Sequence, residues 1–209
     1  YSQALHLQRV ALSRWDARAI LDDPFATFTS AGDRFLDDFR VRALPAPEER
    51  DRLMEEATRR AAVPVFEAVR RRSGFRARLL RLVKEVKQSG RPVDDACRRL
   101  EVGARELAGD ARERLEGFLA VFAEYEALLA HAGLEDHEDS LRRLLEHLAA
   151  RPRTLHMPRA LVVDGFDDFT PVEQGIVDAL ADAVTHRGGE VIVTLPWDAA
   201  RPALFAASA

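Results

Sequence analysis

The amino-acid sequence predicts a mostly helical α/β fold, in which a helical subdomain is inserted into an incomplete parallel-sheet layer. Two short apolar runs rich in Val and Ile, at 160–163 and 190–195, have the composition of strands buried on both faces of a parallel sheet. A helix predicted between them, over about 170–188, completes a strand–helix–strand crossover. From about 48 to 150, the spacing of apolar residues is helical almost throughout.

Interruptions in these patterns divide the chain. A helix is predicted over 3–21, and a short extended piece leads into a second helix before the Pro-rich stretch 43–51. That stretch marks the first boundary, and the change from helical to strand patterns marks the second. The predicted divisions are 1–44, 45–158 and 159–209.

Within the middle division, the sequence predicts helix breaks at Gly74, at 89–92 and at Gly133. One apolar stripe that runs from Leu107 to Leu129 at spacings of three and four predicts the longest helix. The acidic segment 135–139 follows, and we expect it to cap the next helix and to face solvent.

Composition narrows the possible functions. The chain has 209 residues, 47% of them apolar, and a net charge of −4 that indicates no class of partner. The single cysteine, Cys97, excludes a disulfide framework within the chain and a cysteine-rich metal site. Neither a membrane-length apolar run nor a signal peptide is present, which predicts a cytoplasmic location. Both ends interrupt a pattern, as expected of a piece of a longer polypeptide.

An acidic turn, "DGFDDF" at 164–169, follows the first predicted strand. Ligands of α/β sheets bind at the carboxyl ends of the strands, so Asp164 is placed as a Walker B aspartate that holds Mg²⁺ would be. Alternatively, Asp164, Asp167 and Asp168 only end the strand and solvate the turn. No phosphate-binding Gly-x-x-x-x-Gly-Lys-Ser/Thr loop precedes them, so no cofactor is expected in this chain by itself.

Three stretches, taken in order, resemble the UvrD/Rep-like superfamily 1 DNA helicases. "TFTSAGDRFL" (27–36) is similar to motif Ib, 125–148 to the segment before motif II, and "LVVDGFDDFTPVEQGIVDAL" (161–180) to motif II itself. The resemblance covers about 25–197. It implies a RecA-like layer of the P-loop NTPase type with an inserted helical subdomain.

The departures from the helicase pattern are informative. In motif II, Gly165 stands where the family has the glutamate that activates water, and Asp167 replaces a Gln. Asp168 matches the second Asp of that motif. In motif Ib, Thr29 replaces the His. The stretch 194–202 lacks the γ-phosphate-sensing Gln. This combination is most similar to AddB-type subunits of bacterial ATP-dependent helicase–nuclease complexes.

The AddB-type resemblance implies a helicase-like part that binds DNA without unwinding it, beside a separate motor subunit, in double-strand break repair and recombination. It implies no catalytic residue and no turnover by this chain, with ATP and Mg²⁺ possible only in a full-length protein, where Asp164 retains at most weak metal affinity. Two alternatives stay open: a working ATP-dependent helicase whose water activator comes from elsewhere, and a protein–protein scaffold.

A basic stretch, 70–91, carries nine basic residues and one acidic residue. As a helix it places apolar residues on one face and Arg78, Arg81, Lys84 and Lys87 on the other. Such a face binds DNA phosphates without reading sequence; alternatively, it is a solvated surface whose Arg stems cover the core. The predicted DNA contacts are Arg70, Arg71, Arg72, Arg76, Arg78, Arg81, Lys84 and Lys87, with Thr27 and Phe28 from the motif Ib region.

Overall fold

The computed structural model describes residues 26–35, 42–150, 158–166 and 168–194. The predicted helix over 3–21, Asp167 and the stretch 195–202 lie outside these residues. Within them the chain forms seven α-helices, one short 3₁₀-helix and a two-stranded parallel sheet, which confirms a mostly helical α/β fold.

The elements follow one another in a helix-rich order. In chain order they are α1 (Phe28–Phe35), α2 (Pro47–Ala61), a 3₁₀-helix (Pro64–Phe66), α3 (Ser73–Lys87), α4 (Val93–Glu106), α5 (Asp110–Ala132), α6 (His137–Ala150), β1 (Ala160–Val163), α7 (Pro171–Thr185) and β2 (Glu190–Val193).

The chain forms two compact units. The helical unit comprises Arg42–Arg142 with Thr170–Val172. The described residues of the sheet unit are 26–35, 143–150, 158–166, 168–169 and 173–194. The divisions predicted at 44 and 158 stay predictions.

The core of the helical unit is built around α5. Its apolar positions recur at helical spacing, and Phe118, Phe122 and Tyr125 are 5% exposed or less. Helix α2 contributes Met54, and α3 contributes Leu79, to the same cluster. Because α5 carries buried side chains along most of its length, α2, α4 and the 3₁₀-helix of this unit pack against it.

Two predicted features of this unit are wrong. Leu107 does not begin the longest helix: α4 ends at Glu106, Leu107 is 42% exposed, and α5 starts at Asp110 after Gly109, whose φ is +55°. Gly74 is not a break, since it lies in the first turn of α3, where a glycine is tolerated. The breaks at 89–92 and at Gly133 are confirmed.

In the sheet unit, β1 and β2 pair in parallel with Ala160 opposite Glu190 and Val163 opposite Val193. Helix α7 connects them and buries Ile176 and Val184 completely. After it, the Gly188 N–H donates to the Thr185 carbonyl, which ends the helix as predicted, and Gly188 takes a φ of +74°.

The expectation that both strands are buried on both faces is wrong for the part of the chain that the structure describes. Val163 is 9% exposed, whereas Val162 and Ile192 are 59% and 44% exposed. A pair of strands covers little area, and the described residues leave much of this pair in contact with solvent.

No single helix in the described ranges is long and apolar enough to cross a membrane, although α5 and α6 together, as a bent pair, meet the criteria of length and composition.

Candidate functional site

The acidic turn lies at the carboxyl end of the parallel strand pair. The Thr194 N–H, just after β2, donates to the Val163 carbonyl at 2.9 Å, which carries the ladder to the last residue of β1. The Thr194 hydroxyl donates to Oδ1 of Asp164. The exposed carboxylate of Asp164 is therefore held at the sheet edge where α/β folds bind ligands.

Gly165 gives the acidic turn its backbone path. Its φ is +83°, in the region that L-residues with a side chain enter at a cost of about 1–2 kcal/mol. A glutamate at this position, as in the helicase motif, would be strained on this backbone. The backbone of the turn therefore favours glycine. Gly165 thus has a structural role, besides lacking the carboxylate that the helicases have at this position.

Three phenylalanines form a cluster beside the acidic turn. The ring of Phe28 lies 5.0 Å from that of Phe166 and 6.3 Å from that of Phe169, and Phe166 stacks on Phe169 at 5.1 Å. All three are half-buried. Asp168 supports the cluster, since its Oδ1 accepts a hydrogen bond from the Phe169 N–H at 2.8 Å. Sequence reasoning missed this cluster, although the spacing in "FDDF" placed two of its rings on one turn.

Thr27 positions Phe28. The Thr27 hydroxyl accepts a hydrogen bond from the Ser30 N–H at 3.3 Å, and the Ser30 hydroxyl accepts one from the Thr27 N–H at 2.9 Å. This reciprocal pair caps α1. Of the two residues predicted to bind DNA in this region, the structure thus gives Thr27 a capping role and places the half-buried Phe28 against the acidic turn.

The basic stretch, whose residues from Ser73 to Lys87 form α3, presents only part of its charge to solvent. Arg71, Arg72, Arg78 and Lys84 are exposed, and Arg81 is 80% exposed while its Nε donates to Glu85 at 3.1 Å. Arg70 pairs with Glu67 at 2.9 Å. Arg76 is 11% exposed and donates to Asp51 from both Nε and Nη2, so it joins α3 to α2 and has little surface for DNA.

The prediction that Lys87 lies on the exposed basic face is wrong. Its side chain is 1% exposed, and its Nζ lies 2.6 Å from carboxylate oxygens of Glu126, Asp136 and Asp139. These four residues are called the Lys87 cluster. They come from α3, α5 and the start of α6, so one buried ammonium connects the three segments.

Burial and mutual attraction shift the pKa values of all four residues of the Lys87 cluster. Burial alone would lower the pKa of Lys87, but the attraction of Asp136, Glu126 and Asp139 raises it above its ordinary value. Burial raises the pKa of Asp136 to about 7, against the attraction of Lys87, and it also raises the pKa of Glu126. Asp139 shows a lowered pKa despite its burial, because Lys87, Asp136 and Arg142 stabilise its charged form. The side chain of Asp136 is more buried than that of Asp139. We therefore infer that Asp136, and not Asp139, is the carboxyl that holds a proton.

The predicted acidic segment does cap α6, since Asp136 Oδ1 accepts from the Asp139 N–H at 3.0 Å, but it does not face solvent. Asp136 and Glu138 are 3% and 6% exposed. Carboxylate oxygens of Glu126, Asp136 and Asp139 approach closely enough to hold a metal ion. The Lys87 ammonium lies among them and supplies the positive charge that a metal would bring, so this set does not fit a metal site.

Comparison with known proteins identifies the family of this chain. The family model described as "ADDB, N-terminal" matches residues 52–206, which is more than half of the chain. The chain belongs to the AddB N-terminal family. The match includes both α3 and the acidic turn, whereas Thr27 and Phe28 precede it.

Curated relatives are similar at modest identity. A protein of Natranaerobius thermophilus, named as an ATP-dependent helicase/deoxyribonuclease subunit, is 27% identical over 139 residues, or 66% of this chain and 11% of the relative. Proteins of the same name from Listeria monocytogenes and Listeria innocua are 30% and 28% identical, over 56% of this chain and 9% of each relative. The chain thus spans about a tenth of the length of these relatives.

Proposed function

We propose that this chain is a DNA-contacting, helicase-like part of an AddB-type subunit, and that it binds DNA without hydrolysing nucleotide. The observation that carries the proposal is the basic face formed by Arg78, Arg81 and Lys84 on α3, three exposed cations in a chain whose net charge is −4. Cations on one helix face bind successive phosphates irrespective of sequence. We call these three residues the basic face.

The acidic turn supports the second half of the proposal. Asp164 occupies the sheet edge at which a motor holds its metal, but Gly165 offers no carboxylate to activate water, and its backbone favours glycine. The frame of a nucleotide site is therefore kept without its general base. Any ATP or Mg²⁺ bound at Asp164 would need groups that this chain does not supply.

The names of the relatives suggest the wider setting. They are subunits of ATP-dependent helicase–deoxyribonucleases, so we propose a role in DNA repair by recombination, beside a motor subunit. The half-buried Phe28, Phe166 and Phe169 add a second DNA-contacting element, because aromatic side chains stack on unpaired bases.

Binding of short single-stranded DNA across a salt series tests the basic face. In the variant Arg78→Gln/Arg81→Gln/Lys84→Gln, the slope of log affinity against log salt should fall by about 2, since each phosphate contact to a single strand contributes about 0.7. Affinity at low salt should fall by about tenfold or more.

The matched control removes the same charge from a neighbouring helix. Arg98, Arg99 and Arg105 are exposed on α4, and the variant Arg98→Gln/Arg99→Gln/Arg105→Gln should keep the wild-type slope. Equal slopes for both triple variants would remove α3 from the interface. A wild-type chain that binds no DNA even at low salt would instead favour the scaffold alternative.

A further inference from the structure

A cavity of about 280 Å³ opens in the helical unit, beside the Lys87 cluster. Its walls come from α2, α3, α5 and the start of α6. Tyr125 and Glu138 are buried in it, at 0% and 6% exposure, whereas Arg81 and Lys84 are exposed residues of its lining. Arg50 lines it from α2, so three cationic residues belong to its lining.

Two residues of the cavity lining each carry a buried donor without an acceptor. Among the residues that the structure describes, neither the Tyr125 hydroxyl nor the Nε of Arg50 has a hydrogen-bond partner, and both atoms are buried. A buried donor without an acceptor costs about 1–3 kcal/mol, so such groups usually serve a ligand or a bound water. Burial and nearby Asp136 raise the pKa of Tyr125, which keeps the hydroxyl protonated and able to donate.

The charges of the cavity select the ligand. Arg50, Arg81 and Lys84 favour an anion with several acceptor oxygens. Asp136 lies against the Lys87 ammonium and adds little negative charge to the lining, but Glu138 is a second buried carboxylate there and opposes a high negative charge. A phosphodiester carries one negative charge, whereas a free phosphate carries more at neutral pH. The lining therefore suits a phosphodiester better than a free phosphate.

We infer that this cavity, with Tyr125 and Arg50 as its internal donors, is a binding pocket for one phosphodiester of the DNA backbone. The inference deepens the proposed function and rests on it for the identity of the ligand. Arg81 and Lys84 belong both to the basic face and to the lining of the cavity. A strand that follows the basic face could therefore place one phosphate in the pocket.

Tyrosine signals in NMR spectra test the pocket directly. The chain has two tyrosines, so ¹³C-labelled tyrosine gives two sets of ring signals, and Tyr125→Phe identifies those of Tyr125. Short single-stranded DNA should shift the Tyr125 signals. Tyr125→Phe should weaken DNA binding by about tenfold to a hundredfold, as expected for one hydrogen bond to a charged group. Because that hydroxyl has no protein acceptor among the described residues, the same variant should keep or raise the wild-type denaturation midpoint.

Arg50→Gln and Arg52→Gln form a matched pair on α2. Each removes one positive charge, but Arg50 lines the cavity and Arg52 does not. Arg50→Gln should lower the salt slope by about 0.7 and Arg52→Gln should leave it unchanged. If Tyr125→Phe, Arg50→Gln and Arg52→Gln all bind DNA as the wild type does, and the Tyr125 signals stay in place, the pocket is overturned while the basic face stands.

A wild-type chain that binds no DNA would refute the proposed function, and smaller probes would then decide on the pocket. The dinucleotide thymidylyl-thymidine contains a single phosphodiester, and thymidine is its uncharged control. Shifts of the Tyr125 signals by the dinucleotide alone support the pocket. No shift with the dinucleotide, or an equal shift with inorganic phosphate, contradicts its assignment to a phosphodiester.

Discussion

Lys87 shows how far a residue can depart from its helical pattern. Its position three residues after Lys84 on a charged face predicts exposure, yet it is 1% exposed and contacts three carboxylates. Two of its partners lie 49 and 52 residues further along the chain. Spacing within one helix cannot report such distant partners, so the burial of Lys87 is beyond prediction from this sequence.

Lys87→Met tests the stabilising role of the Lys87 cluster. Removing the ammonium leaves three carboxylates close together without the cation that lies among them, which should cost about 3–5 kcal/mol of unfolding free energy at pH 7. The loss should be smaller at pH 5, where these carboxyls take up protons more readily. Urea unfolding measures both values.

Lys84→Met is the control for this change, because Lys84 is exposed on the same helix. It should change the unfolding free energy by less than about 0.5 kcal/mol. Equal losses for the two variants would show that the Lys87 contacts contribute little to stability.

Asp136 predicts a pH dependence of stability. Burial raises its pKa from the ordinary 3.8 to about 7, so between these values the folded chain holds a proton that the unfolded chain releases. This group therefore makes the folded state less stable as pH rises from about 4 to 7, by up to about 1.4 kcal/mol per pH unit. Above the folded pKa, its contribution no longer changes.

Asp136→Asn should remove this part of the pH dependence and retain the cap of α6, since asparagine also accepts a hydrogen bond. Unfolding free energies measured from pH 5 to pH 8 should then fall less steeply in the variant. Asp94→Asn alters an exposed carboxyl and should follow the wild type. An unchanged slope in Asp136→Asn would mean that Asp136 is charged throughout this range.

At the level of elements, the sequence predicts those features that depend on residues close together in the chain. The strand–helix–strand order and the ends of helices at Gly133 and Gly188 follow from apolar runs and from glycines with positive φ. The break between α4 and α5 escapes prediction because Leu107 continues the apolar spacing across it. The spacing is the same whether or not the chain turns there.

Helix packing around α5 gives an element-scale prediction. A Cβ on Gly117 would lie 2.6 Å from Cγ1 of Val63 and 3.0 Å from Cε2 of Phe66, both of which lie in or beside the 3₁₀-helix. Gly117→Ala should therefore destabilise the chain by about 1–3 kcal/mol, through overpacking. Thermal or urea unfolding measures the change.

Gly103→Ala is the matched control on α4, where an added Cβ would meet nothing within 4 Å. It should stabilise the chain by up to about 1 kcal/mol, because alanine is the better helix former. Stabilisation by both substitutions would contradict the close packing of Val63 and Phe66 against α5.

At the scale of the whole molecule, the family can be predicted from the sequence. The prediction rests on the order of the three motif-like stretches along the chain, which is visible without any knowledge of packing. The family match over 52–206 confirms that interpretation. The cavity lined by Arg50 and Tyr125 could not be predicted from the sequence, since its lining comes from four segments that no local pattern connects. The same holds for the cluster of Phe28, Phe166 and Phe169, whose rings come from two stretches far apart in the chain.

The central claim is that a helicase-like frame binds DNA without hydrolysing nucleotide, and ATP turnover tests it most directly. ADP release would be measured for this chain and for the complete subunit, with Mg²⁺ and saturating single-stranded DNA, in the wild type and in Asp164→Ala. We predict DNA binding with ADP release at background in the wild type, and no change in the variant. DNA-stimulated ADP release that Asp164→Ala abolishes would contradict the account.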